Sequence, residues 1–264
     1  MKAIEEGKNL FIGTSGYYFE DWIGTAYPKA TKKSDMLSEY LKLGFNALEL
    51  NFTYYRLADE RQLSGFSKKA PPDFAYVIKA YNKVTHEKAG KDLIRDVAKN
   101  YLGGNSNFNF KGMLLQFPES FHKTKENLEY LHMLSEEMKE IPLFAEFRRS
   151  DWINEETFAF LKKRNLLYVA ADLPQIGSLP QRRIETSGDS GYLRLHGKNK
   201  NWYTAEDRYD YLYSEGEIRE FHADVVKLMR NSKNVFVFFN NCHGGFAVRN
   251  ALMLQKMADA GGNA

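Results

Sequence analysis

The sequence holds 264 residues, 43% hydrophobic and 27% charged, with a formal net charge of +3. This is globular composition with enough apolar material for a large core, and the slight positive excess leans only weakly toward an anionic partner. One cysteine, Cys242, excludes an internal disulfide and any zinc cluster built on several cysteines, and it fits a reducing, cytoplasmic setting.

The opening segment MKAIEEGKNLFIG sets Glu5 and Glu6 before a short apolar run, which is not the pattern of a signal peptide. A first strand is expected at LFIGTSG, from Leu10. SDMLSEYLKLG follows as a helix, with Ser34 in the N-cap position and Gly44 where it stops. ALELN at Ala47, AYVIKA at Ala75 and GMLLQF at Gly112 read as strands two to four. In TKENLEYLHMLSEEMKE, Leu128, Leu131, Leu134 and Met138 form one helical stripe. LFAEF at Leu143 is strand five. A helix then opens at Asn154 with two glutamates, favourable against the helix dipole. LYVAAD at Leu167 and GYLRLHG at Gly191 are strands six and seven. Between them LPQIGSLPQRRIETSGDS is rich in Pro, Gly and Ser, so a long loop is expected there. SEGEIREFHADVVKLMR carries a capping box, Ser214 with Glu217, and an apolar stripe of Ile218, Phe221, Val225 and Leu228. NVFVFFNN at Asn234 is strand eight. FAVRNALMLQKM closes the chain with Ala247, Ala251 and Leu254 at helical spacing.

Every strand reads as buried on both faces, as in a parallel sheet. Alternation with helices over this length predicts a TIM-like (β/α)8 barrel, with the helix after strand six replaced by a loop. A doubly wound open sheet is the rival, but GTSG after strand one is too short for a phosphate-binding fingerprint. No repeat or linker interrupts the chain, so residues 1–264 are expected to form one domain. No apolar run nears the roughly 18–20 residues of a membrane span.

Polar residues recur where the strands end, which in such a barrel surrounds the active site. Glu49 and Asn51 end strand two, Lys79 strand three, Gln116 strand four, and Asp172 strand six. Arg194 and His196 end strand seven, and Asn240 strand eight. Within LFAEFRRSDW, Glu146 and Arg148 are two apart and share a face, while Arg149 points away. A single carboxylate–arginine pair is more often structural than catalytic. A whole ring of converging polar groups is costly unless they meet each other, water or a ligand.

These residues sit in an ordered set of motifs: GTSG at Gly13–Gly16, Trp22, YP at Tyr27–Pro28, ELNFTYYR at Glu49–Arg56, Lys79, TH at Thr85–His86 and QFP at Gln116–Pro118. EFR with Trp152, LRLHG at Leu193–Gly197, RYDYLYS at Arg208–Ser214, FNN at Phe239–Asn241 and AVRNAL at Ala247–Leu252 complete it. The set resembles the domain-of-unknown-function-72 family, also called YecE-like, over nearly the whole chain. The resemblance implies a TIM-barrel fold and no established reaction. Structural analogy ties such barrels to endonuclease-IV-like nucleases, an association only. Phe52, Tyr54, Ala58 and Glu119 depart from the commoner family pattern and bear on the pocket rim.

Arg148 and Arg194 suit a phosphate or carboxylate held by two parallel hydrogen bonds. Glu49, Glu146 and His196 are the candidate catalytic acids and bases. Asn51, Tyr55, Lys79, His86, Gln116, Arg148, Arg194, Asn240 and Asn241 are the candidate substrate-binding residues. No metal site is expected: HxH and HExxH spacings are absent, and cations crowd the carboxylates, although Glu49, Glu146, Asp172 and His196 are acceptable ligand types. No cofactor is expected. Lys79 is a Schiff-base residue if desolvated, but a salt bridge to a strand glutamate is the first expectation. Ser15 lacks a nucleophile elbow, and Cys242 beside His243 reads as a loop cysteine. Loop aromatics such as Tyr17, Tyr18, Tyr54, Tyr55, Trp202 and Tyr203 offer stacking surfaces. Lys198, Lys200 and Arg208 add positive charge after strand seven. The expected function is binding of a phosphate- or carboxylate-bearing molecule at the barrel mouth, with metal-independent acid–base chemistry of a hydrolase or lyase on a nucleotide or phosphodiester. The alternative is a non-catalytic module for nucleic acid or nucleotides.

Overall fold

A computed structural model describes residues 7–103 and 107–260. Glu5 and Glu6 lie outside the described residues. Eight parallel strands follow one another around a nearly closed barrel: β1 Asn9–Thr14, β2 Ala47–Leu50, β3 Ala75–Lys79, β4 Phe110–Gln116, β5 Leu143–Glu146, β6 Leu166–Asp172, β7 Ser190–Leu195 and β8 Asn234–Phe239. From β2 to β8 each strand pairs with the next in sequence, and β1 pairs with β8 from Asn9↔Asn234 to Thr14↔Phe239. Helices α1 Met36–Lys42, α2 Glu60–Lys69, α3 Asn82–Thr85, α4 Lys91–Leu102, α5 Lys125–Glu137, α6 Glu155–Lys163, α7 Glu215–Asn231 and α8 Phe246–Ala260 lie between and after the strands.

Two apolar layers follow from the period of two. Phe11, Ala47, Val77, Leu114, Phe144, Val169, Tyr192 and Phe236 point inward and fill the lower barrel. The alternate residues, among them Leu48, Ile78, Leu115, Leu193 and Val237, meet the helices outside. Burial on both faces explains the unbroken apolar runs.

Local signals explain most helix ends. The Asn154 side chain accepts from Thr157 N, and Ser214 with Glu217 forms a capping box. Gly44, at φ +83°, stops α1. Ser34 is not the cap that the sequence suggested: it lies within a 3-10 turn, Lys33–Asp35, and Asp35 precedes α1 without a side-chain bond. Helix α2, capped by an Asp59–Gln62 box, and helix α4 were not singled out in the sequence.

No helix forms between β6 and β7, in agreement with the expected loop. Arg182 pins that loop. Its Nη1 donates to Asp172 Oδ1 at 2.6 Å, its Nε lies 3.0 Å from Asp224 of α7, and its guanidinium stands 4.7 Å from the Phe221 ring centroid. One side chain thereby covers flank that a helix would otherwise shield.

The β1–β2 seam closes by other means. Its backbone contact is confined to the top, where Ser15 bridges Glu49 and Gly16 N–H donates to Glu49 O at 2.8 Å. Below, the Asn46 side chain accepts from Ile12 N–H and donates to Leu10 O, each at 2.8 Å. The buried Tyr40 hydroxyl accepts from Thr14 N–H at 3.0 Å and donates to Ala47 O at 2.9 Å. These side chains satisfy backbone groups that a ladder would have paired. Gly13 makes the approach workable, because a Cβ there would stand 2.1 Å from Ala47 O. Gly13→Ala is therefore expected to lower unfolding stability by about 1–3 kcal/mol or more, read as a lower denaturation midpoint.

Candidate functional site

The period that builds the apolar barrel also sets its upper layer. Continuing inward from Ala47, Val77, Leu114, Phe144, Tyr192 and Phe238 come Glu49, Lys79, Gln116, Glu146, Arg194 and Asn240. Asp172 has the opposite parity. Ala171 precedes it on the inner face, so Asp172 turns outward, to Arg182 and to the Tyr213 hydroxyl at 2.8 Å. The sequence-based place for Asp172 in the mouth is corrected on that ground.

Arg194 crosses the barrel between two carboxylates. Its Nε and Nη2 donate to Glu49 at 2.7–3.2 Å, and its Nη1 donates to Glu146 Oε2 at 3.0 Å. The Tyr192 hydroxyl donates to Glu49 Oε2 at 2.6 Å from the layer beneath. Arg148 Nε donates to Glu146 Oε1 at 2.6 Å. Glu49 and Glu146 are fully buried, Arg194 is 1% exposed and Arg148 is 7% exposed. Burial alone would raise the Glu146 carboxyl. Arg148 and Arg194 outweigh that and hold it well below the usual carboxylate range. With every oxygen engaged, the pairing withstands desolvation, and removing one partner would cost about 3–5 kcal/mol.

His196 completes the cluster. Asn240 Nδ2 lies 2.9 Å from its Nδ1, and Glu146 Oε1 lies 3.2 Å from its Nε2. An amide donor on one side and a carboxylate on the other assign the neutral Nε2–H tautomer. Burial, reinforced by Arg148, keeps the imidazole well below its ordinary pKa. Arg148 Nη2 lies 3.3 and 3.4 Å from the two ring nitrogens.

Lys79 stands apart. No carboxylate among the described residues lies within salt-bridge distance of its amine, because the two nearest are committed to arginines. The expected glutamate partner is thus absent: Arg148 and Arg194 present more donors and take every carboxylate oxygen. The Lys79 amine instead sits 4.5 Å from the Tyr54 ring centroid. Burial, followed by repulsion from Arg194, pushes it down to about 7. The Tyr54 face favours the ammonium by only about 0.5–2 kcal/mol, too little to cancel such a displacement.

Among the described residues, two clefts open over this layer. The larger, about 1030 Å³, is lined by six cations, Lys33, Arg56, Lys69, Lys79, Arg194 and Arg208. Asn51, Gln116 and Asn240 contribute polar groups to it, and Tyr17, Tyr18, Tyr54 and Tyr55 contribute rings. The Asn51 Oδ1 atom is buried and accepts no hydrogen bond. The smaller, about 240 Å³, is lined by His86, Gln116, Glu119, Arg148, Trp202 and Arg208 among others. Arg148 and Arg208 stand 5.5 and 5.4 Å from the Trp202 ring centroid, which ties the loop after β7 to the mouth.

Of the residues expected at the site, Asn51, Tyr55, Lys79, Gln116, Arg194 and Asn240 line the larger cleft, and His86 and Arg148 the smaller. Glu49, Glu146 and His196 lie beneath, with no exposed surface. Asn241 lines neither cleft: its amide donates to Tyr211 O and to Asn250 Oδ1, each at 2.9 Å. It has opposite parity to Asn240. Lys33 and Lys69 were missed, since they come from the segment before α1 and the last turn of α2, where charge reads as solvated surface. Among the described residues, no group of three or more His, Cys, Asp or Glu side chains could hold a metal ion. No helix among them is long and apolar enough to cross a membrane.

Fold and site together define a TIM-like barrel whose mouth carries a paired arginine–glutamate layer under a cationic, aromatic cleft. D-psicose 3-epimerase of Clostridium cellulolyticum shares that fold at a TM-score of 0.54 and 12% identity, over 95% of this chain and 98% of that one. The chain belongs to the family described as protein of unknown function DUF72, whose model matches residues 11–264. It is 39% identical to a DUF72 family protein of Thermotoga maritima, with a TM-score of 0.89 over 95% of this chain and 99% of that one. It is 30% identical to the UPF0759 protein YunF of Bacillus subtilis, over 95% of each.

The Lys79 displacement fixes a sign. Between about pH 7 and the ordinary lysine value, the unfolded chain holds a proton that the folded chain has released. Stability therefore rises with pH across that window. Lys79→Met lacks this dependence. At pH 6 it is expected to melt a few degrees above the parent, worth roughly 1–2 kcal/mol after solvent screening at the cleft. That gap should shrink by pH 9.5 in paired thermal melts.

Proposed function

We propose that the barrel mouth binds an anionic molecule bearing a phosphate or carboxylate together with a ring. The observation that carries this is the lining of the larger cleft: it has no Asp or Glu, and of its six basic side chains Arg56, Lys69 and Arg208 have no ion-pair partner among the described residues, while Lys33 pairs with Glu20 and Arg194 with Glu49 and Glu146. Such a surface favours an anion electrostatically, and low-dielectric walls strengthen the attraction. Arg194 has its guanidinium edges occupied by Glu49 and Glu146, so it contributes charge, while Arg56, Lys69, Lys79 and Arg208 supply donors. The tyrosines stack on the ring. A nucleotide or phosphodiester combines both features.

The supported chemistry is metal-independent acid–base catalysis. Glu49, Glu146 and His196 are sealed under the arginines and act by positioning them. Proton transfer to the ligand falls to Lys79, whose amine is pushed down to about 7, with His86 on the wall of the smaller cleft. A non-catalytic nucleotide or nucleic-acid module is the second reading, favoured by Tyr18 and Tyr55 at 51% and 74% exposure.

A library of nucleotides, cyclic phosphodiesters and phosphorylated metabolites, followed by thermal shift and product analysis, separates the two: a module shows shifts without product. Failure of every anion to shift the protein would remove the reading. The smaller cleft, lined by Arg148, shares Gln116 and Arg208 with the larger, so a ligand anion that extends across them meets the Arg148 guanidinium; Arg148→Lys keeps the charge and loses the planar fork, and affinity for the best ligand should fall about 10–100-fold, the worth of a charged hydrogen bond. Arg149→Lys, whose arginine is turned to Asp151 at 2.9 Å, should bind normally. Lower stability with unchanged affinity in Arg148→Lys would mark Arg148 as purely structural.

A further inference from the structure

We infer that Lys79 is a nucleophilic amine that forms an imine with an anionic aldehyde or ketone bound in the larger cleft. This deepens the anion reading above and rests on it for the ligand's charge.

Four features of the mouth carry it. Lys79 ends β3 on the inward face and lines the cleft, so its amine meets whatever the cleft holds. The neighbouring carboxylates, Glu49 and Glu146, have all their oxygens engaged by arginines, Tyr192 and His196, and leave none for Lys79. Arg194 and Arg148 repel a third positive charge, which favours the free base. Tyr54 offers a ring face that confines the amine without taking up its lone pair. A lysine serving only as an anion clamp needs a retained proton. This one is deprived of the partners that would retain it, which is how an amine becomes a nucleophile near neutral pH.

The step balances with the ligand alone. The amine lone pair adds to the carbonyl carbon, the C=O π pair moves to oxygen, and one N–H proton passes to that oxygen, giving a carbinolamine. The carbinolamine loses its hydroxyl and the second N–H proton as water, which leaves a C=N bond. The cleft's cations hold the ligand's phosphate or carboxylate while this occurs, and a protonated imine then draws electrons from the adjoining carbon.

The test uses the full chain with dihydroxyacetone phosphate or pyruvate, trapped with sodium cyanoborohydride and read by intact mass and peptide mapping. Glycolaldehyde serves as a neutral carbonyl and glycerol 3-phosphate as an anion without a carbonyl. The expected result is one reduced adduct, mapped to Lys79, formed at least about tenfold faster than at any exposed lysine at pH 7.5, since an ordinary lysine is almost wholly protonated there. Its rate should rise with pH through a midpoint near 7, and glycerol 3-phosphate should slow it. Adducts spread over exposed lysines with no preference for Lys79 would overturn the inference. A glycerol 3-phosphate thermal shift would then show the anion reading surviving without it, and its absence would remove both. Equal labelling of Lys79 by glycolaldehyde would overturn the anionic substrate class. The wild-type peptide map decides the matter even if Lys79→Arg or Lys79→Met folds poorly.

Discussion

The Arg194 guanidinium, suspended between Glu49 and Glu146, is the contact on which the barrel mouth depends. It joins β7 to β2 and β5 across the interior. Tyr192 ties Glu49 to the apolar layer below, and Glu146 passes the connection to Arg148 and His196. Buried charges are tolerated here because none is left alone. Such a network adds little net stability over a well-packed apolar core, yet it is severe against partial loss. It fixes the distances between strands at the level where a ligand would sit. It also takes up both nearby carboxylates, Glu49 and Glu146, which leaves the Lys79 amine without an ion-pair partner among the described residues.

Much of this was legible in the sequence, for identifiable reasons. Strands buried on both faces leave continuous apolar runs, and a parallel barrel needs eight of them. Parity then places Glu49, Lys79, Glu146 and Arg194 on one side of the sheet. Family resemblance and the barrel reading agree with the structure over the chain's length. Parity is also where the reading failed. Asp172 and Asn241 stand next to inward positions, and one residue of phase decides whether a side chain meets the axis or the helices. Ser34 failed because a 3-10 turn intervenes before α1. The competition for carboxylates could not be read from a list of charges. It needed distances, which gave both glutamates to arginines and left Lys79 beside a tyrosine ring.

The cleft and the network divide the work of the mouth. Beneath lies a rigid, closed set of charges whose hydrogen bonds are spent on one another. Above lies a surface of lysines, arginines and tyrosines contributed by loops and helix ends, which is where such barrels vary their chemistry. Asn51 and Gln116 stand at the boundary, polar and only half-buried, and line the larger cleft together with Arg194.

The seam between β1 and β2 bears on how the chain is made. β1 leaves the ribosome before the other seven strands, but among the described residues its one continuous ladder partner is β8, whose first residue lies more than 200 positions later, at Asn9↔Asn234. On its other side stand only Asn46, Tyr40 and one short bridge. During synthesis β1 therefore waits with an unpaired edge until the other seven strands have followed. A parallel barrel joined end to end in this way spends its nascent life as an open sheet, exposed to the edge-to-edge association that closure abolishes.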